Sequence, residues 1–355
     1  MGVQYKILML GASYGSLLAA KLLPAGHTIK QVCLPAEAEL INKEGIRVRL
    51  PVRGREGLVE IDSRALPGKL SADTPQAVSP AGWDLVVLAM QEPQYKSPGV
   101  RELLDAIANA RIPCMSIMNM PPLPYLMRIP GIETRACRSC YADATVWDSF
   151  DPALLTLCSP DAQAFRPPDE KVNVLQVRLA SNFKAARFSS DIHTAILRNL
   201  AADTEAARFD APEGRIELPV KLKLHDSVFV PLAKWAMLIA GNYRCIGKDE
   251  MRPIKDAVHG DIEATRAVYD WVVKLCLKLG AAERDLVPFD KYAQAALGLG
   301  SPSSAARALF GGAHNIERVD RLVQIVAAQE NMRLNVLDEI VARVDARLET
   351  NRRTA

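Results

Sequence analysis

The chain has 355 residues, of which 49% are hydrophobic and 24% are charged, and its formal net charge is +3 at pH 7. This balance is typical of a soluble globular protein, and the length suits two domains. No apolar stretch reaches the ~18 residues of a membrane-spanning helix, and no basic stripe of the kind that binds nucleic acid is present. We expect neither a membrane nor a nucleic-acid partner, and the lack of a leader-like N-terminus favours a cytoplasmic protein.

The first motif joins a strand to a helix through a turn of small residues. The pattern predicts a buried strand over Lys6–Leu10 and a helix over Leu17–Leu23. Such a turn presents backbone N–H groups and a helix N-terminus to a pyrophosphate. The usual spacing is G-x-G-x-x-G, and serines replace two of the glycines here. The turn residues, which we predict to bind a dinucleotide, are Gly11, Ala12, Ser13, Tyr14, Gly15 and Ser16. The alternative is an ordinary strand-to-helix turn.

The rest of the first half alternates strand and helix patterns. Strands are predicted at residues 28–34, 46–51, 57–61, 84–90 and 114–118, and helices at 37–44, closed by Gly45, and at 100–110. The near-continuous apolar run at 84–90 is typical of a strand buried on both faces. This alternation predicts right-handed βαβ units on a mostly parallel sheet.

The second half is mainly helical. After strands at 154–158 and 174–179, Ser189 and Ser190 can cap a helix that runs to about residue 208. An extended piece near 215–224 precedes helices at about 227–245, 254–279, 286–297 and 315–349. We therefore predict two domains, a Rossmann-like domain over residues 1–185 and a helical domain over residues 186–355.

Seven cysteines in a chain without a secretory leader predict reduced thiols. Cys137 and Cys140 form a C-x-x-C pair, with Cys158 further along, but no histidine lies near enough to complete a zinc site. We favour buried thiols over a metal or redox site and expect no bound metal.

The predicted helix that follows residue 227 carries two polar side chains. Lys234, Leu238 and Asn242 are spaced at i, i+4 and i+8, which predicts one shared helix face. A lysine and an asparagine on an otherwise apolar helix are costly to bury without a purpose. The alternatives are a snorkelling lysine and an asparagine bonded to a loop. His225 and Asp226 precede this helix, where Asp226 is better suited to capping than His225 is to catalysis.

The order of these motifs resembles the ketopantoate reductase family, which reduces 2-ketopantoate to pantoate with NADPH. The matching patches are residues 11–16, 89–95, 118–119, 234–242 and 303–320. The resemblance implies an α/β fold, with an N-terminal Rossmann-like domain and an all-α C-terminal domain of the 6-phosphogluconate dehydrogenase C-terminal type. It also implies NADP as cofactor, a small carbonyl compound as substrate, and leaves a homodimer open.

The resemblance assigns catalytic roles to three residues. Lys234 matches the family's lysine, which is the general acid to the forming alkoxide, and Asn242 matches a substrate-binding asparagine. The family's glutamate falls at Glu317, although Arg318–Asp320 competes for the same register. An ammonium group suits this role, because hydride addition to a ketone places negative charge on oxygen.

Four further residues receive binding roles from the resemblance. Ser303 or Ser304 matches a serine that binds the substrate carboxylate. Asn119 matches an asparagine beside the cofactor, and Gln91 stands where the family has a cofactor-proximal lysine.

The chain also departs from the family. Leu238 replaces a second asparagine, and the end of the second strand reads Leu34-Pro35 where many members carry an arginine for the 2′-phosphate. Glu37 and Glu39 follow that strand, where we expect solvated carboxylates at a helix start; the alternative is that they bind an adenosine ribose, which would favour NAD as the cofactor. Replacing a hydrogen-bonding side chain by an apolar one discriminates strongly between substrates. We expect reduction of a 2-oxo acid or related carbonyl, with poor activity on ketopantoate. The alternative is a dinucleotide-binding sensor that has lost catalysis.

Overall fold

The structure is a computed structural model, and it describes residues 2–211 and 214–354. The described residues form two compact units, each assembled from three stretches of chain. The sheet unit takes residues 1–90, 94–124 and 146–226, and the helical unit takes residues 91–93, 125–145 and 227–355. In this part of the chain no helix has the length and apolar character needed to span a membrane.

All named strands lie in the sheet unit. In chain order they are β1 (Lys6–Leu10), β2 (Thr28–Val32), β3 (Arg47–Pro51), β4 (Leu58–Asp62), β5 (Lys69–Asp73), β6 (Leu85–Leu88), β7 (Cys114–Ile117), β8 (Leu155–Pro160), β9 (Gln163–Phe165), β10 (Val174–Leu179), β11 (Phe183–Ala186), β12 (Arg208–Ala211), β13 (Gly214–Glu217) and β14 (Leu222–His225).

The main sheet has eight strands in the order β14-β11-β8-β7-β6-β1-β2-β5. Six neighbouring strands of this sheet are mutually parallel, namely β8, β7, β6, β1, β2 and β5. Strand β11 runs antiparallel to β8 and parallel to β14. The chain builds outward from β1 to β5 on one side and from β6 to β8 on the other. The order of the strands therefore reverses between β1 and β6, which is the switch point where open α/β sheets bind ligands. A second sheet, β4-β3-β10-β9, and the β12–β13 pair complete the strands.

The helices are shared between the two units. They are α1 (Tyr14–Leu22), α2 (Pro35–Glu44), α3 (Val100–Asn109), α4 (Leu123–Leu126), α5 (Thr134–Cys137), α6 (Asp191–Ala206), α7 (Lys234–Met237), α8 (Ile254–His259), α9 (Ile262–Lys278), α10 (Phe289–Ala296), α11 (Ser304–Phe310), α12 (Val319–Gln329) and α13 (Asn335–Arg353). Helices α5 and α7 to α13 belong to the helical unit, and the chain passes from the sheet unit to the helical unit within α4.

The central strands are apolar on both faces, as a sheet covered by helices requires. Every residue of β6 and of β7 is buried, and in β1 only Lys6 is exposed. Leu17, Leu18 and Leu22 of α1 pack into the same core. The predicted α/β class with a Rossmann-like sheet is therefore confirmed.

The division of the chain differs from the predicted boundary at residue 185. Helix α6, which the sequence pattern places at the start of the helical domain, is capped by Ser190, whose hydroxyl accepts the N–H of Ile192. Along the chain, α6 falls between β11 and β14, and these two strands pair in parallel in the main sheet. Parallel neighbours need such a crossover helix, so residues 186–226 stay with the sheet unit.

Three of the long predicted helices are interrupted, and two of them are each divided into two α-helices. The helix expected over 254–279 is α8 followed by α9, and Asp261 between them accepts the N–H of Ala264 as the cap of α9. The helix expected over 315–349 is α12 followed by α13. Hydrophobic periodicity continues across both breaks, which is why the sequence pattern alone does not reveal them.

Candidate active site

The Gly11–Ser16 turn lies at the switch point of the sheet. Gly11 directly follows β1, and its N–H donates to the carbonyl of Val32 over 2.9 Å. Its φ of +105° is in the region that favours glycine. A Cβ added to Gly11 would lie 2.6 Å from the carbonyl oxygen of Ala89 and 2.7 Å from Cγ of Met90. Only a bare backbone fits at this position between the ends of β1 and β6.

The serine at the last turn position also has a packing role. Ser16 is 2% exposed, and its hydroxyl donates to the carbonyl of Ala12 over 2.7 Å. The same oxygen accepts a hydrogen bond from Gln31 of β2 over 3.1 Å. A Cβ at Gly15 would meet Sδ of Met9 at 2.9 Å, so α1 lies close against β1 here. Ser16 therefore fits where the usual motif has a glycine, because its buried hydroxyl both donates and accepts a hydrogen bond.

Tyr14 connects this turn to a distant part of the sheet unit. Its hydroxyl donates to the carbonyl of Ala162 over 3.0 Å, in the link between β8 and β9. Strand β9 leads directly to Arg166, whose guanidinium pairs with the carboxylate of Glu37. Glu37 lies in the first turn of α2, immediately after the end of β2. The chain thus supplies an arginine near the end of β2 from a position 129 residues later.

The Glu37–Arg166 pair differs from the sequence-based interpretation of Glu37. Glu37 is 7% exposed rather than solvated, whereas Glu39 is exposed. Burial raises the pKa of Glu37, and the neighbouring Arg166 partly opposes that shift. Burial also raises the pKa of Cys33, at the end of β2, to about 12, and the negative charge of Glu37 adds to the effect. No sequence signal indicates Arg166, because its partner is remote along the chain.

Two other predicted cofactor residues follow neighbouring strands. Asn119 comes two residues after β7 and is half-buried between Met118 and Met120, which are both buried. Gln91 comes three residues after β6 and is exposed. Asn119 therefore lies at the carboxyl edge of the sheet, like the Gly11 turn, while Gln91 belongs to the short 91–93 stretch of the helical unit.

The segment that carries Lys234 and Asn242 is not one regular helix. The α-helical turn α7 is followed by a π-helical turn over Leu238–Asn242, in which the N–H of Tyr243 donates to the carbonyl of Leu238. Single π turns are rare and are frequent at functional sites. Lys234, Met237 and Asn242 are half-buried here, whereas Leu238 is only 4% exposed.

The π turn changes how Lys234 and Asn242 are aligned. Eight residues of a regular α-helix would rotate Asn242 about 80° past Lys234. A π turn rotates each residue less, because its bonds close five residues apart instead of four. The excess rotation is reduced, so the two polar side chains lie closer to one line along the helix than the sequence spacing predicts.

Side chains from elsewhere in the helical unit satisfy the carbonyls of this irregular turn. The hydroxyl of Tyr292 donates to the carbonyl of Met237 over 3.2 Å, and that of Ser303 donates to the carbonyl of Asn242 over 2.7 Å. Gly241 provides the space for Tyr292, since an added Cβ would lie 1.9 Å from its hydroxyl oxygen. The turn is thus fixed by residues more than 50 positions away.

The two candidate substrate serines have different environments. Ser303 is 2% exposed and caps α11, where its hydroxyl oxygen accepts the N–H of Ala306 over 3.2 Å. The same hydroxyl donates to Asn242, so the structure gives Ser303 a positioning role. Ser304 is exposed at the start of α11. Of the two serines, Ser304 has the accessible hydroxyl.

Tyr243 attaches the glutamate segment to this turn. Its buried hydroxyl donates to the carbonyl of Glu317 and accepts the N–H of Val319 over 3.0 Å. Burial raises the pKa of Tyr243 well above its usual value. Asp320, the competing acid in this register, is completely buried and bonded to Arg318 over 2.9 and 3.0 Å. Asp320 is therefore engaged with Arg318, whereas Glu317 stays the predicted carboxylate, with its backbone carbonyl held by the residue that follows Asn242.

Solved structures provide the comparison with known proteins. Residues over 98% of the chain superpose on a PanE/ApbA family ketopantoate reductase from Ralstonia eutropha, with 99% of that chain covered, 17% identity and a TM-score of 0.63. A 2-dehydropantoate 2-reductase from Methylococcus capsulatus gives 11% identity, 98% and 97% coverage and a TM-score of 0.67. The chain has the ketopantoate reductase fold. A D-mandelate dehydrogenase, solved with NADH and anilino(oxo)acetate, matches at 14% identity, 98% and 99% coverage and a TM-score of 0.63.

No protein-family model matches the chain, and no curated protein matches it. The likeness therefore extends over the whole ketopantoate reductase fold but not to close sequence relatives. Within that fold, the sheet unit gathers the Gly11 turn and Asn119 at one sheet edge. The helical unit gathers Asn242, Ser303 and Glu317 around the π turn.

The cysteines of the C-x-x-C pair are buried thiols in this ketopantoate reductase fold. Cys137 is 0% exposed and Cys140 is 2% exposed, and burial raises their pKa values to about 11 and about 12. Thiols with raised pKa values are poor nucleophiles. Among residues 2–211 and 214–354, no group of three or more His, Cys, Asp or Glu side chains is arranged to hold a metal.

Two histidines are placed as follows. His225 is the last residue of β14, and a ring nitrogen of His259 lies 2.9 Å from the carbonyl oxygen of Ala293.

Proposed function

We propose that the protein is an NAD(P)H-dependent oxidoreductase that reduces a small 2-oxo acid, or a related carbonyl compound, to the alcohol. The observation that carries this proposal is the Gly11 turn. It leaves no room for a Cβ between the ends of β1 and β6, and that point is the ligand-binding switch point of the sheet. A pyrophosphate needs this close approach to backbone N–H groups at a helix N-terminus.

The chemistry of the helical unit supports carbonyl reduction. The nicotinamide supplies the hydride when it is bound. Hydride addition to C=O leaves an alkoxide, and the ammonium of Lys234 stabilises that charge and transfers a proton to the oxygen. Asn242 orients the substrate through its amide, and Ser304 offers a hydroxyl to the substrate carboxylate. Glu317 would supply a carboxylate, and the Tyr243 hydroxyl, which bonds to its backbone carbonyl, supports this role by tying its segment to the residue after Asn242.

The substrate class follows from the side chains around Lys234. Met237 is the half-buried neighbour of Lys234 on the segment, and Leu238 is apolar where the resembling family carries an amide. An apolar wall gives a hydroxyl-bearing substrate fewer hydrogen bonds, which lowers kcat/KM for it. We therefore propose a 2-oxo acid with an apolar substituent, and the similarity to a D-mandelate dehydrogenase is consistent with this class.

We further propose NADP(H) as the preferred cofactor, because of Arg166. The 2′ position of the adenosine ribose lies at the end of the second strand in this fold class. Arg166 is at that place, about a third exposed and paired with Glu37. An arginine there accommodates a 2′-phosphate, whereas a glutamate alone favours the 2′-hydroxyl of NAD.

The central test follows oxidation of NADPH and NADH spectrophotometrically with a panel that includes ketopantoate, pyruvate and phenylglyoxylate. Lys234→Ala should lower kcat by ~100- to 10,000-fold, which is the usual contribution of one general acid. NADPH affinity should change little, because the dinucleotide turn is in the sheet unit. Lys274→Ala, which removes an exposed lysine from α9 of the same unit, is the matched control. Full activity in Lys234→Ala would refute the mechanism.

Cofactor binding has its own test. Gly11→Val should abolish NADPH binding, measured by fluorescence titration of protein shown to be folded by circular dichroism. Gly54→Val is the matched control, because Gly54 also has a positive φ of 79° but an added Cβ meets nothing within 4 Å. Equal loss of binding in both variants would mean that backbone strain causes the effect. It would contradict the proposal that the Gly11 turn binds the cofactor.

The cofactor preference is tested by two substitutions with opposite signs. Arg166→Gln should weaken NADPH binding by about 10- to 100-fold, the value of one charge-assisted hydrogen bond, and leave NADH binding nearly unchanged. Glu37→Gln should strengthen NADPH binding, because Arg166 loses its competing carboxylate. Arg49→Gln, which removes an arginine paired with Glu60 in the second sheet, is the control. Equal effects of Arg166→Gln on both cofactors would contradict the assignment.

A sensor that binds the dinucleotide without turnover is the second candidate. It is favoured by Leu238 and Gln91, which replace the amide and the lysine of the resembling family. Tight NADPH binding with no oxidation across the panel would support it over the reductase.

A further inference from the structure

The helical unit contains a polar cavity that none of the proposed catalytic residues lines. Its volume is about 150 Å³, and its walls come from residues 139–142, the loop that precedes α12, and helices α12 and α13. Three arginines reach it, namely Arg318, Arg321 and Arg352, together with one carboxylate, that of Asp345. Lys234, Asn242, Ser304 and Glu317 are absent from its lining.

The three guanidinium groups differ in how firmly they are held. Arg318 is 8% exposed and is fixed by Asp320, with its remaining bond to Asp345 over 2.5 Å. These bonds use three of its five N–H donors. Arg321 approaches Asp345 only to 3.6 Å, beyond hydrogen-bond distance. Arg318 is thus the firmly held guanidinium of the cavity lining, whereas the guanidinium of Arg321 makes no hydrogen bond to Asp345.

Arg352 adds a third set of donors from α13. Its Nε donates to the carbonyl of His314 over 3.0 Å, and one terminal nitrogen lies 3.4 Å from the amide oxygen of Asn315. These contacts orient the guanidinium while leaving further N–H groups for an acceptor. The three arginines carry three positive charges, and Asp320 and Asp345 carry two negative charges, so the net charge of this group is +1. The N-terminus of α12, which begins at Val319, adds partial positive charge.

We propose that this cavity binds a small oxyanion with two or more negative charges, of the phosphate or short dicarboxylate type. Planar guanidinium groups recognise such oxygens through paired N–H bonds. A volume of about 150 Å³ is below the ~300–1,000 Å³ of pockets that take drug-sized ligands. The size therefore excludes a whole dinucleotide and fits an ion of a few heavy atoms. The proposal goes beyond the reductase function and does not depend on it.

The anion is expected to compete with Asp345 for Arg318 and Arg321. Asp345 is 42% exposed at its side chain and lies between the two arginines. Its displacement would free one terminal nitrogen of Arg318, while Asp320 keeps the other edge of that guanidinium in place. Removing the Asp345 charge should therefore strengthen binding, and removing Arg321 should weaken it.

The test measures binding of inorganic phosphate and of malonate by isothermal titration calorimetry, without dinucleotide, at constant ionic strength set with chloride. We expect saturable binding of at least one of the two anions. The ratio of their Kd values shows whether the cavity prefers a phosphate or a dicarboxylate. Arg321→Gln should raise Kd at least about 10-fold, the loss of one charge-assisted pair. Asp345→Asn should lower Kd. Arg333→Gln is the matched control, because Arg333 pairs with Asp338 outside the cavity.

The variants avoid the buried Arg318–Asp320 pair, so their folding is expected to be unimpaired, and thermal unfolding in chloride checks this. Binding that is equal in the wild type, Arg321→Gln and Arg333→Gln would mean unspecific ion association and would overturn the proposal. No saturable binding of either anion to the folded wild type would overturn it as well. Neither result bears on NADPH oxidation, so the reductase proposal is judged separately.

Discussion

Gly241→Ala is expected to disrupt the π turn between Lys234 and Asn242. The new methyl group would lie 1.9 Å from the hydroxyl oxygen of Tyr292. The tyrosine ring has little freedom to move away, because it is 6% exposed and stacks on Tyr269 at a centroid distance of 5.4 Å. Overpacking a well-packed core costs about 1–3 kcal/mol. Breaking the bond from Tyr292 to the carbonyl of the half-buried Met237 adds about 0.5–1.5 kcal/mol.

A double-mutant cycle isolates this clash. Tyr292→Phe alone should cost about 0.5–1.5 kcal/mol, because the bond to the carbonyl of Met237 is lost. In Gly241→Ala/Tyr292→Phe the closest atoms of the ring and of Val258 are 3.2 Å from the new methyl group, which needs a shift of only a few tenths of an ångström. The double variant should therefore be about as stable as Tyr292→Phe, well short of the sum of the two single changes.

Urea unfolding followed by circular dichroism and tryptophan fluorescence gives the stabilities. The two signals must coincide before a two-state free energy is assigned to a chain with two units. Gly298→Ala is the matched control, because Gly298 is exposed and its added Cβ would meet only Ala295 at 3.7 Å. Strict additivity in the cycle, or a Gly241→Ala protein as stable as the wild type, would refute this account of the turn.

Three further outcomes are expected. Burial lowers the pKa of Lys21 from 10.5 to about 8, so between pH 8 and 10.5 the folded protein releases a proton that the unfolded chain keeps. Over that range the wild type should gain ~3 kcal/mol over Lys21→Met, measured by urea unfolding at each pH. Burial also lowers the pKa of His27. The wild type should therefore lose stability relative to His27→Gln as pH falls below 6.5, seen as a falling Tm difference. Ser303→Ala should cost ~0.5–2 kcal/mol through its cap, whereas Ser304→Ala should raise KM with unchanged Tm.

The Gly11 turn, our candidate dinucleotide site, is predictable because its signal is local. A buried strand, a turn of small residues and a helix follow one another in residues 6–22, and the structure has β1, the Gly11 turn and α1 there. The capped helix predicted after Ser190 is also present. Its predicted place in the fold is wrong, because the pairing of β11 with β14 depends on chain that follows the helix.

The remaining features depend on contacts between distant residues. The π turn lies where the pattern predicts continuous helix, since its cause is the hydroxyl of Tyr292 in the space beside Gly241. Arg166 reaches Glu37 through the β8–β9 link, which no spacing rule describes. Ser303 and Ser304 are neighbours with the same chemistry, and only burial distinguishes their roles.

The discontinuous division of the chain has a consequence for biosynthesis. Residues 125–145 pack against chain that follows much later in the sequence. Tyr125 bonds to the carbonyl of Val228, and Glu133 exchanges two hydrogen bonds with Gln329. These residues therefore leave the ribosome long before their partners. Until residues 227–355 are synthesised, residues 125–145 therefore lack the residues against which they pack. Long-range contacts of this kind slow folding and expose apolar surface meanwhile. A chain truncated after residue 226 would retain this orphaned segment, so chaperone dependence and aggregation are expected for it even though every strand of the sheet is present.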